Sequence, residues 1–575
     1  MKKNQIQYTL SFSKPQNNYC DVEILVSTDS EESLLFSMPV WTPGSYLIRE
    51  FGRHIERVKA FNENGKELEV FKINKNTWQV NCAGASEVKL TYSVYCNELT
   101  VRTSQVNIDH AFISSSGVFM FVRGRLDSKC ILKINPYKTW KEISTGLRKI
   151  AKNKYEAENY DNFIDCPIEI GNQEIIEFTV AGKKHYICMA GKGNYNADTL
   201  KKDFKKIVEV EKDLFDDLPY EDFTFIILLV KNGGGGLEHK NSFAAIGDRN
   251  LFDNPERYKR FLGLISHEFF HLWNVKRIRP VALGPFDYDN ENYTKMHYVT
   301  EGWTSFYDNV FLRRADILND EEYIEYIERD VNDIMRFSGR FKQSLEESSF
   351  DNWIKYYRQD ENNRNSQISY YTKGALVAMM LDIEIIRATN ARKSLDNVLK
   401  LLWQDYKNNP ERGYDDARIK ELCEQVSGKN LKSFWKNYIA GTKDLPLEEY
   451  LGYAGIDMTN KNAEDKISLD VEYTVVLDSV IQITKVYEGG TGFEAGLNFK
   501  DRIISINGET VTKANYDAVL NANETGDELI VRIDRDGLEK EIKVTLLTAI
   551  PVYKLSLTKY PTENQLKVFN KWIKG

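Results

Sequence analysis

The five residues His267-Glu268-Phe269-Phe270-His271 form an H-E-x-x-H motif. Apolar residues around the motif recur at the helical period from about Glu256 to Val275, which predicts an amphipathic helix. Two histidines four residues apart on a helix project from one face and can bind one divalent ion. Glu268 can reach a water on that ion, so the motif indicates a zinc hydrolase. Five loosely specified positions also recur by chance, in which case both histidines are structural.

A catalytic zinc site needs a third protein ligand, which the motif does not contain. The best candidate is Glu301, in Thr300-Glu301-Gly302-Trp303-Thr304. The apolar period of this segment predicts a second amphipathic helix that begins near Glu301. We therefore expect His267, His271 and Glu301 to bind zinc, unless Glu301 only stabilises the helix dipole. Asp308 is expected either to accept the second N–H of a ligand histidine or to be a solvated charge.

These two motifs, together with a third near the N-terminus, resemble those of the glycyl aminopeptidase family of gluzincin metallopeptidases. The third motif is Trp41-Thr42-Pro43-Gly44-Ser45-Tyr46 followed by Arg49-Glu50-Phe51-Gly52-Arg53-His54. The resemblance extends from about residue 5 to the C-terminal region. It implies a zinc aminopeptidase that prefers N-terminal Gly or Ala. The gap between His271 and Glu301 is longer than in thermolysin and leaves loop 278–296 without a derived role.

A glycine-rich segment, Gly233-Gly234-Gly235-Gly236-Leu237-Glu238-His239, follows a buried strand predicted at 223–230. Glycines let the backbone pass close to a ligand, so Gly235 and Gly236 are candidate substrate contacts. The Gly-Leu-Glu portion is similar to the Gly-x-Met-Glu element of related aminopeptidases. That similarity implies that Glu238 binds the free α-amino group of the substrate. A flexible loop with an exposed glutamate is the alternative.

The segment Tyr370-Tyr371-Thr372-Lys373-Gly374 is similar to the Tyr-x-Lys-Gly element of the same relatives. The similarity implies that the Tyr371 hydroxyl stabilises the tetrahedral intermediate. A phenol suits this role, because it is a neutral donor that can point at a developing oxyanion. The chain has 32 tyrosines, and a packing role is the general alternative for any one of them.

The length of 575 residues predicts several domains in an α+β multidomain protein. Residues 1–170 alternate apolar and polar positions and predict an N-terminal antiparallel β domain. Residues 171–450 predict a thermolysin-like catalytic domain, α/β to about 290 and then a helical lobe. Residues 455–550 resemble a bacterial PDZ domain, on the segment from Thr491 to Gly508. Residues 551–575 form a tail without an assigned role.

Composition restricts the partners. The net charge of −8 and the absence of a basic tract argue against nucleic acid. No apolar run reaches transmembrane length, and the N-terminus has no signal-peptide core. We therefore expect a cytoplasmic protein, or a periplasmic or secreted one if a signal peptide was removed. The expected partners are a peptide substrate and, at the PDZ domain, a peptide or inter-domain ligand.

Three classes of function remain open. The first is a zinc aminopeptidase, favoured because an amine anchor at Glu238 selects a free N-terminus. The second is a zinc endopeptidase with the same catalytic residues. The third is a PDZ-bearing binding protein with a vestigial metal site. Comparing free-amine with N-acetylated peptides separates the first two classes, and absence of bound metal would favour the third.

Overall fold

The computed structural model describes residues 5–462, 466–477 and 479–575. The chain divides into two compact units. The first comprises Met1–Tyr293, Arg314–Ile317 and Leu402–Tyr414, and the second comprises Thr294–Arg313, Leu318–Leu401 and Asp415–Gly575.

The first unit begins with a β-rich region whose largest sheet has eight strands. In sheet order the strands are Arg148–Ala151, Lys154–Ala157, Lys129–Asn135, Gln5–Ser11, Tyr19–Ser27, Glu87–Tyr95, Ile55–Asn62 and Glu67–Leu68. The apolar residues of Glu87–Tyr95 that alternate along the strand are buried, as the period of two predicts. One pair departs from the expected antiparallel arrangement, because Gln5–Ser11 runs parallel to Lys129–Asn135.

Two four-stranded antiparallel sheets complete this β-rich region. One contains Glu142–Thr145, Ile168–Gly171, Ala111–Ile113 and Gln105–Val106, and the other contains Phe121–Val122, Ser33–Ser37, Thr77–Asn81 and Val70–Lys72. Short helical segments lie at Pro15–Asn17, Phe51–His54, Ser115–Gly117 and Tyr160–Ile164. The inward-facing residues of all three sheets form one hydrophobic core, which also includes Tyr288. The N-terminal β domain expected from the sequence is therefore present.

The α/β part of the first unit is a five-stranded sheet with two helices. In sheet order its strands are Glu174–Val180, Lys183–Ala190, Asp222–Val230, Ser242–Asp248 and Gly236–Glu238. The helices are Ala197–Phe215 and Pro255–Phe270, with a short turn at Val281–Leu283. Asp222–Val230 pairs in parallel on both sides and is almost wholly buried, which confirms the strand predicted there.

From Thr304 to Tyr453 the chain is helical, as the sequence predicts for the catalytic lobe. The α-helices are Thr304–Arg314, Asp320–Met335, Leu345–Phe350, Asn363–Ser366, Thr372–Ala388, Leu395–Asn408, Asp416–Ser427, Lys432–Phe434 and Leu447–Tyr453. The π-helical segment Tyr298–Trp303 leads into the first of these helices. A second π-helical segment, Trp435–Ile439, and the 3₁₀ segment Ser338–Phe341 lie between later ones. Among the described residues, no helix is both long enough and apolar enough to span a bilayer.

The PDZ region contains a sheet with strands Val471–Val476, Val480–Val486, Arg502–Ile506, Glu509–Thr510, Glu528–Arg535 and Leu538–Thr545, and helices Thr491–Ala495 and Tyr516–Asn521. Asn507 and Gly508 both have positive φ, 48° and 83°, as a tight hairpin turn requires. Val471–Val476 pairs on one side only among the described residues. Such an edge is where PDZ domains add a peptide strand.

The PDZ region is bonded to the helical part of the same unit. Asn365 Nδ2 donates to the Val486 carbonyl at 2.8 Å, and the Glu488 amide donates to Asn365 Oδ1 at 2.9 Å. The rings of Phe337 and Tyr487 lie 4.6 Å apart. These contacts support the inter-domain role that the sequence left open beside peptide capture.

Residues 551–575, which have no role assigned from the sequence, belong to the second unit. Strand Tyr553–Leu557 pairs with Ile456–Asn460, and the helix Glu563–Lys574 begins with a capping box. Trp572 on this helix is fully buried, with its ring 5.6 Å from that of Tyr323. The pairing strands are far apart in sequence, so no local pattern could have indicated this arrangement.

Candidate active site

The H-E-x-x-H motif lies at the C-terminal end of Pro255–Phe270, which we call the histidine helix. Asn254 caps the start of this helix, since its Oδ1 accepts the Arg257 amide at 3.0 Å. The α-helix ends short of the predicted Val275. His271 is its C-cap residue and keeps right-handed helical backbone angles of −58° and −19°. The spacing of the two histidines is therefore the one that the motif predicts.

The two histidines are close enough to share an ion. Their ring centroids lie 4.7 Å apart with the ring planes at 83°, and their potential ligand nitrogens lie within 4.8 Å of each other. His271 Nδ1 lies 2.7 Å from the Asn274 carbonyl oxygen. Because a carbonyl only accepts, Nδ1 donates its proton there and Nε2 is left for a metal.

Glu268 is buried, 5% exposed, and packs against Gly236. A Cβ at Gly236 would lie 2.2 Å from Glu268 Oε1, so a side chain there would displace the carboxylate. Gly235 has φ +101° and no heavy atom within 4 Å of its Cβ position. Glycine is needed at position 235 because of this backbone conformation, since a side chain there would have ample space. The predicted substrate contacts of Gly235 and Gly236 stay predictions.

Glu238 is 4% exposed and is not a residue of an open loop. The carboxylate oxygens of Glu238 and Glu268 and a ring nitrogen of His271 lie within 4.8 Å of one another. Gly44, with φ +88°, lies against the Glu238 carboxylate, because a Cβ there would be 2.5 Å from Oε1. The N-terminal motif that contains Gly44 thus contributes the backbone that packs on Glu238.

A buried ion pair lies beside Glu238. Lys276 Nζ is 2.5 Å from Asp165 Oδ1. Burial lowers the pKa of Lys276, but the Asp165 and Glu238 carboxylates raise it by more, so the ammonium stays charged. Burial raises the pKa of Asp165, but Lys276 and His239 lower it to below its usual range. The pair is ionised because each partner compensates the other.

Loop 278–296, which had no role from the sequence, packs against the N-terminal β region. The Trp41 indole N–H donates to the Asp287 carbonyl at 2.8 Å. The Tyr288 hydroxyl donates to Asp161, and the Tyr288 ring is part of the β-rich core. The loop therefore joins the motif around Trp41 to the segment that follows the histidine helix.

Glu301 lies in a π-helical segment, Tyr298–Trp303, that leads into Thr304–Arg314. We call Tyr298–Trp303 the glutamate turn. The sequence predicted that a regular helix begins near Glu301, whereas the structure has a wider turn there. All six residues of the turn are buried, and Glu301 is 2% exposed. π-Helical turns of this kind occur frequently at functional sites.

The glutamate turn packs on the helix Thr372–Ala388, which we call the tyrosine helix because Tyr371 is its N-cap residue. The contact is between two glycines. A Cβ at Gly374 would lie 2.8 Å from Gly302 Cα, and a Cβ at Gly302 would lie 2.7 Å from Gly374 Cα. Glycine is needed at both positions for the same reason, because only a residue without a Cβ lets the two backbones come this close.

Tyr371 is half-buried in a cluster of tyrosines. Its ring centroid lies 4.7 Å from that of Tyr370 and 5.3 Å from that of Tyr356, and its hydroxyl lies 3.5 Å from the Tyr357 hydroxyl. Burial is the main cause that raises the pKa of Tyr371 well above its usual range, and the negative charge of Glu301 is the second. Its hydroxyl therefore stays protonated and can donate.

Asp308 is half-buried. Its negative charge acts on Asp330, whose pKa is raised mainly by burial and secondly by Asp308. The carbonyl of Asn274 already accepts the Nδ1 proton of His271. The expected contact of Asp308 with a ligand histidine therefore stays a prediction for His267 alone.

Sequence reasoning missed the residues that support the site. They are Gly44, Asp165, Asn274, Lys276, Gly302 and Gly374. The three glycines stand inside motifs and could have been singled out as places of close backbone approach. Asp165 and Lys276 are 111 positions apart, and nothing in either neighbourhood marks them as partners.

Family models match three parts of the chain. The Peptidase M61 N-terminal domain matches residues 7–172, the M61 glycyl aminopeptidase model matches 260–377, and the PDZ domain model matches 448–533. Two models of M61 domains therefore match this chain, the N-terminal domain first and the aminopeptidase domain after it. The chain thus contains an aminopeptidase domain of the M61 type and a C-terminal PDZ domain. The candidate zinc ligands, Glu268 and Tyr371 all lie within the matched residues 260–377, whereas Glu238 lies outside them.

Solved structures of two other proteins resemble this chain. An aminopeptidase N family protein from Idiomarina loihiensis is 29% identical, with a TM-score of 0.92 over 99% of this chain and 100% of that chain. An M1 zinc metallopeptidase from Deinococcus radiodurans is 11% identical, with a TM-score of 0.47 over 77% of this chain and 95% of that chain. The comparison with curated proteins gave no match.

Proposed function

We propose that this aminopeptidase removes small N-terminal residues, preferably Gly or Ala, and that Glu238 binds the substrate's α-amine. The observation that supports this proposal is the position of Glu238, buried within 4.8 Å of Glu268 and His271. A carboxylate and a protonated amine form strong charge-assisted hydrogen bonds. An amine held there would bring the first peptide bond next to the general base. The preference for Gly or Ala rests on the family resemblance.

His267, His271 and Glu301 are the proposed zinc ligands. The nitrogen spacing of the two histidines and the fixed tautomer of His271 fit a metal ion. Two imidazoles and one carboxylate are a donor set for catalytic zinc that leaves one coordination position open. Both ligand motifs lie in the segment that the M61 model matches. When bound, the zinc would supply Lewis acidity to the scissile carbonyl and to the attacking water.

The other side chains supply proton transfer and hydrogen bonding. Glu268 takes the proton of the attacking water and passes it to the leaving amine. The Tyr371 hydroxyl donates to the carbonyl oxygen as negative charge develops on it.

The test compares Gly-, Ala- and Leu-initiated peptides, each free and N-acetylated. We expect hydrolysis of the free peptides only. Leu should be slower than Ala, as the family resemblance implies. Glu238→Ala should lower kcat/KM on free peptides by about 10–100-fold, the worth of a charged hydrogen bond. The exposed Glu221→Ala is the matched control, and Glu268→Gln is the inactive control that should keep its metal.

Two outcomes would contradict the proposal. Equal hydrolysis of acetylated and free peptides would replace the aminopeptidase by an endopeptidase with the same catalytic residues. A protein that binds no zinc and cleaves neither set would be a binding protein with a vestigial site.

A further inference from the structure

A cavity of about 140 Å³ lies beside Glu238 within the first unit. Its walls come from the motif around Gly44, from the segment 161–165, and from residues 275–286 after the histidine helix. Glu238 forms part of the wall. Because a single water needs only about 10–15 Å³ of such space, the cavity has room for far more than a methyl group. A side chain of the residue whose amine binds Glu238 could enter it.

The two other carboxylates in the wall already have partners. Asp165 pairs with Lys276 at 2.5 Å, accepts the Lys240 amide at 2.8 Å and lies 3.3 Å from His239 Nδ1. Asp161 accepts the hydroxyl of Tyr288. Neither needs a cation from a ligand.

Two of the three cations in the wall, Arg279 and Lys240, are less well satisfied than Lys276. Arg279 Nη1 is buried and has no hydrogen-bond partner, while Nη2 has one long contact, 3.4 Å to the Glu411 carbonyl. Lys240 Nζ also has one long contact, 3.4 Å to Asn162 Oδ1. A buried charged donor without a partner is costly, and the guanidinium fork matches a carboxylate. Arg279 and Lys240 both line this cavity, and their unused donors favour an anion there.

Gly284 explains how Arg279 reaches this position. A Cβ at Gly284 would lie 1.6 Å from Arg279 Nη1, so the guanidinium lies directly against the glycine backbone. Any side chain at 284 would push the guanidinium from its place. The loop after the histidine helix is thus shaped around Arg279.

We propose that this cavity receives the side chain of the substrate's first residue. Arg279, assisted by Lys240, binds the carboxylate of that side chain when the first residue is acidic. The inference rests on the proposed function, since it takes Glu238 as the α-amine anchor. It adds aspartyl and glutamyl peptides to the glycyl and alanyl substrates. Arg279 is then a residue that determines specificity, and Glu238 and Arg279 bind the two opposite charges of one N-terminal acidic residue.

The anion could also be the free carboxylate at the far end of a dipeptide. Both sources present the same chemistry to Arg279, and two sets of substrates separate them. Aminoacyl coumarin amides carry a side-chain carboxylate only if the residue is acidic, and they have no C-terminal carboxylate. Ala-Gly and Ala-Gly amide differ only in the C-terminal group.

The first measurement is kcat/KM for the Asp, Asn and Ala coumarin amides with wild-type protein and Arg279→Met. Asp and Asn have nearly the same shape, so their ratio reports the charge alone. We expect wild type to favour Asp over Asn by about 10–100-fold, the range for a charged hydrogen bond, and Arg279→Met to bring the ratio near one. Arg279→Lys should restore part of the ratio. Arg148→Met, at a 62% exposed arginine on a β-strand, should leave it unchanged.

The second measurement does not depend on turnover. Calorimetric titration of the Glu268→Gln protein with Asp-Gly amide and Asn-Gly amide should show tighter binding of the aspartyl peptide, and Arg279→Met in the same background should remove the difference. Equal affinity for the two peptides would overturn the inference. A second result would also overturn the inference: wild type prefers Ala-Gly over Ala-Gly amide, and Arg279→Met abolishes that preference. The anion at Arg279 would then be the C-terminal carboxylate. Failure of the proposed function looks different, since wild type would then cleave acetylated peptides as fast as free ones, or would cleave no peptide at all, Ala included.

Discussion

The histidine helix and the glutamate turn both carry proposed zinc ligands, but they are built in different ways. The histidine helix is a regular α-helix with a side-chain cap at Asn254, and its ligands are spaced by the helical period. The glutamate turn is π-helical, fully buried, and pressed against the tyrosine helix through Gly302 and Gly374. One ligand pair is placed by local geometry, and the other ligand is placed by packing. A change near the first should act on chemistry, and a change near the second should also act on folding.

The strongest test of this comparison removes one ligand from each region. His271→Ala and Glu301→Ala should both lower zinc from about one per chain to a small fraction, because each loses a ligand of a three-residue site. Metal analysis after dialysis against a chelator measures this. The exposed Glu321→Ala is the matched control and should keep its zinc. Full zinc in Glu301→Ala would remove the glutamate turn from the metal site.

The next test concerns the tyrosines at the start of the tyrosine helix. Tyr371→Phe should lower kcat by roughly 10²–10³-fold with zinc retained, because it removes a donor to the oxyanion. Tyr370→Phe is the control from the adjacent, fully buried position and should change kcat little. Steady-state kinetics on an alanyl substrate decide between them. The reverse pattern would transfer the role to Tyr370.

The smallest expected effects come from the glycines that contact each region. Gly374→Ala should lower the free energy of unfolding by about 1–3 kcal/mol, because its new Cβ meets the Gly302 backbone, which cannot move aside. Gly236→Ala should lower turnover more than stability, because its Cβ meets the Glu268 side chain, which can rotate away. Thermal unfolding midpoints and turnover, measured on both variants, separate the two effects.

The matched control for these glycines is Gly452→Ala in the helix Leu447–Tyr453, where no heavy atom lies within 4 Å of the Cβ position. It should be neutral or stabilising by up to about 1 kcal/mol, since alanine favours a helix. If Gly374→Ala were equally harmless, the glutamate turn would not depend on this packing. The difference drawn between the two regions would then be wrong.

Much of the architecture could be predicted because its patterns are local. The burial of Val88, Leu90 and Tyr92 follows the period of two, and the strand Asp222–Val230 follows from an apolar run. The helical lobe follows from the period of 3.6. The π-helical form of the glutamate turn does not follow from any pattern, because a single wide turn of six residues is too short to establish a period of its own. The strand Tyr553–Leu557 was missed because its partner lies far away in the chain.

At the candidate active site, only the residues that helical spacing relates to one another could be predicted from the sequence alone. His267, Glu268 and His271 follow from helical geometry, which depends only on nearest neighbours along the chain. Glu301 became a candidate because the apolar period predicts a second helix there, whereas the roles of Glu238 and Tyr371 could be named only through resemblance to a family. The tertiary structure alone decided that Glu238 is buried beside Glu268, that Gly44 lies against it, and that Arg279 has an unused donor in the adjoining cavity. Those facts depend on side chains from distant segments that share one small volume, and no short stretch of sequence contains that information.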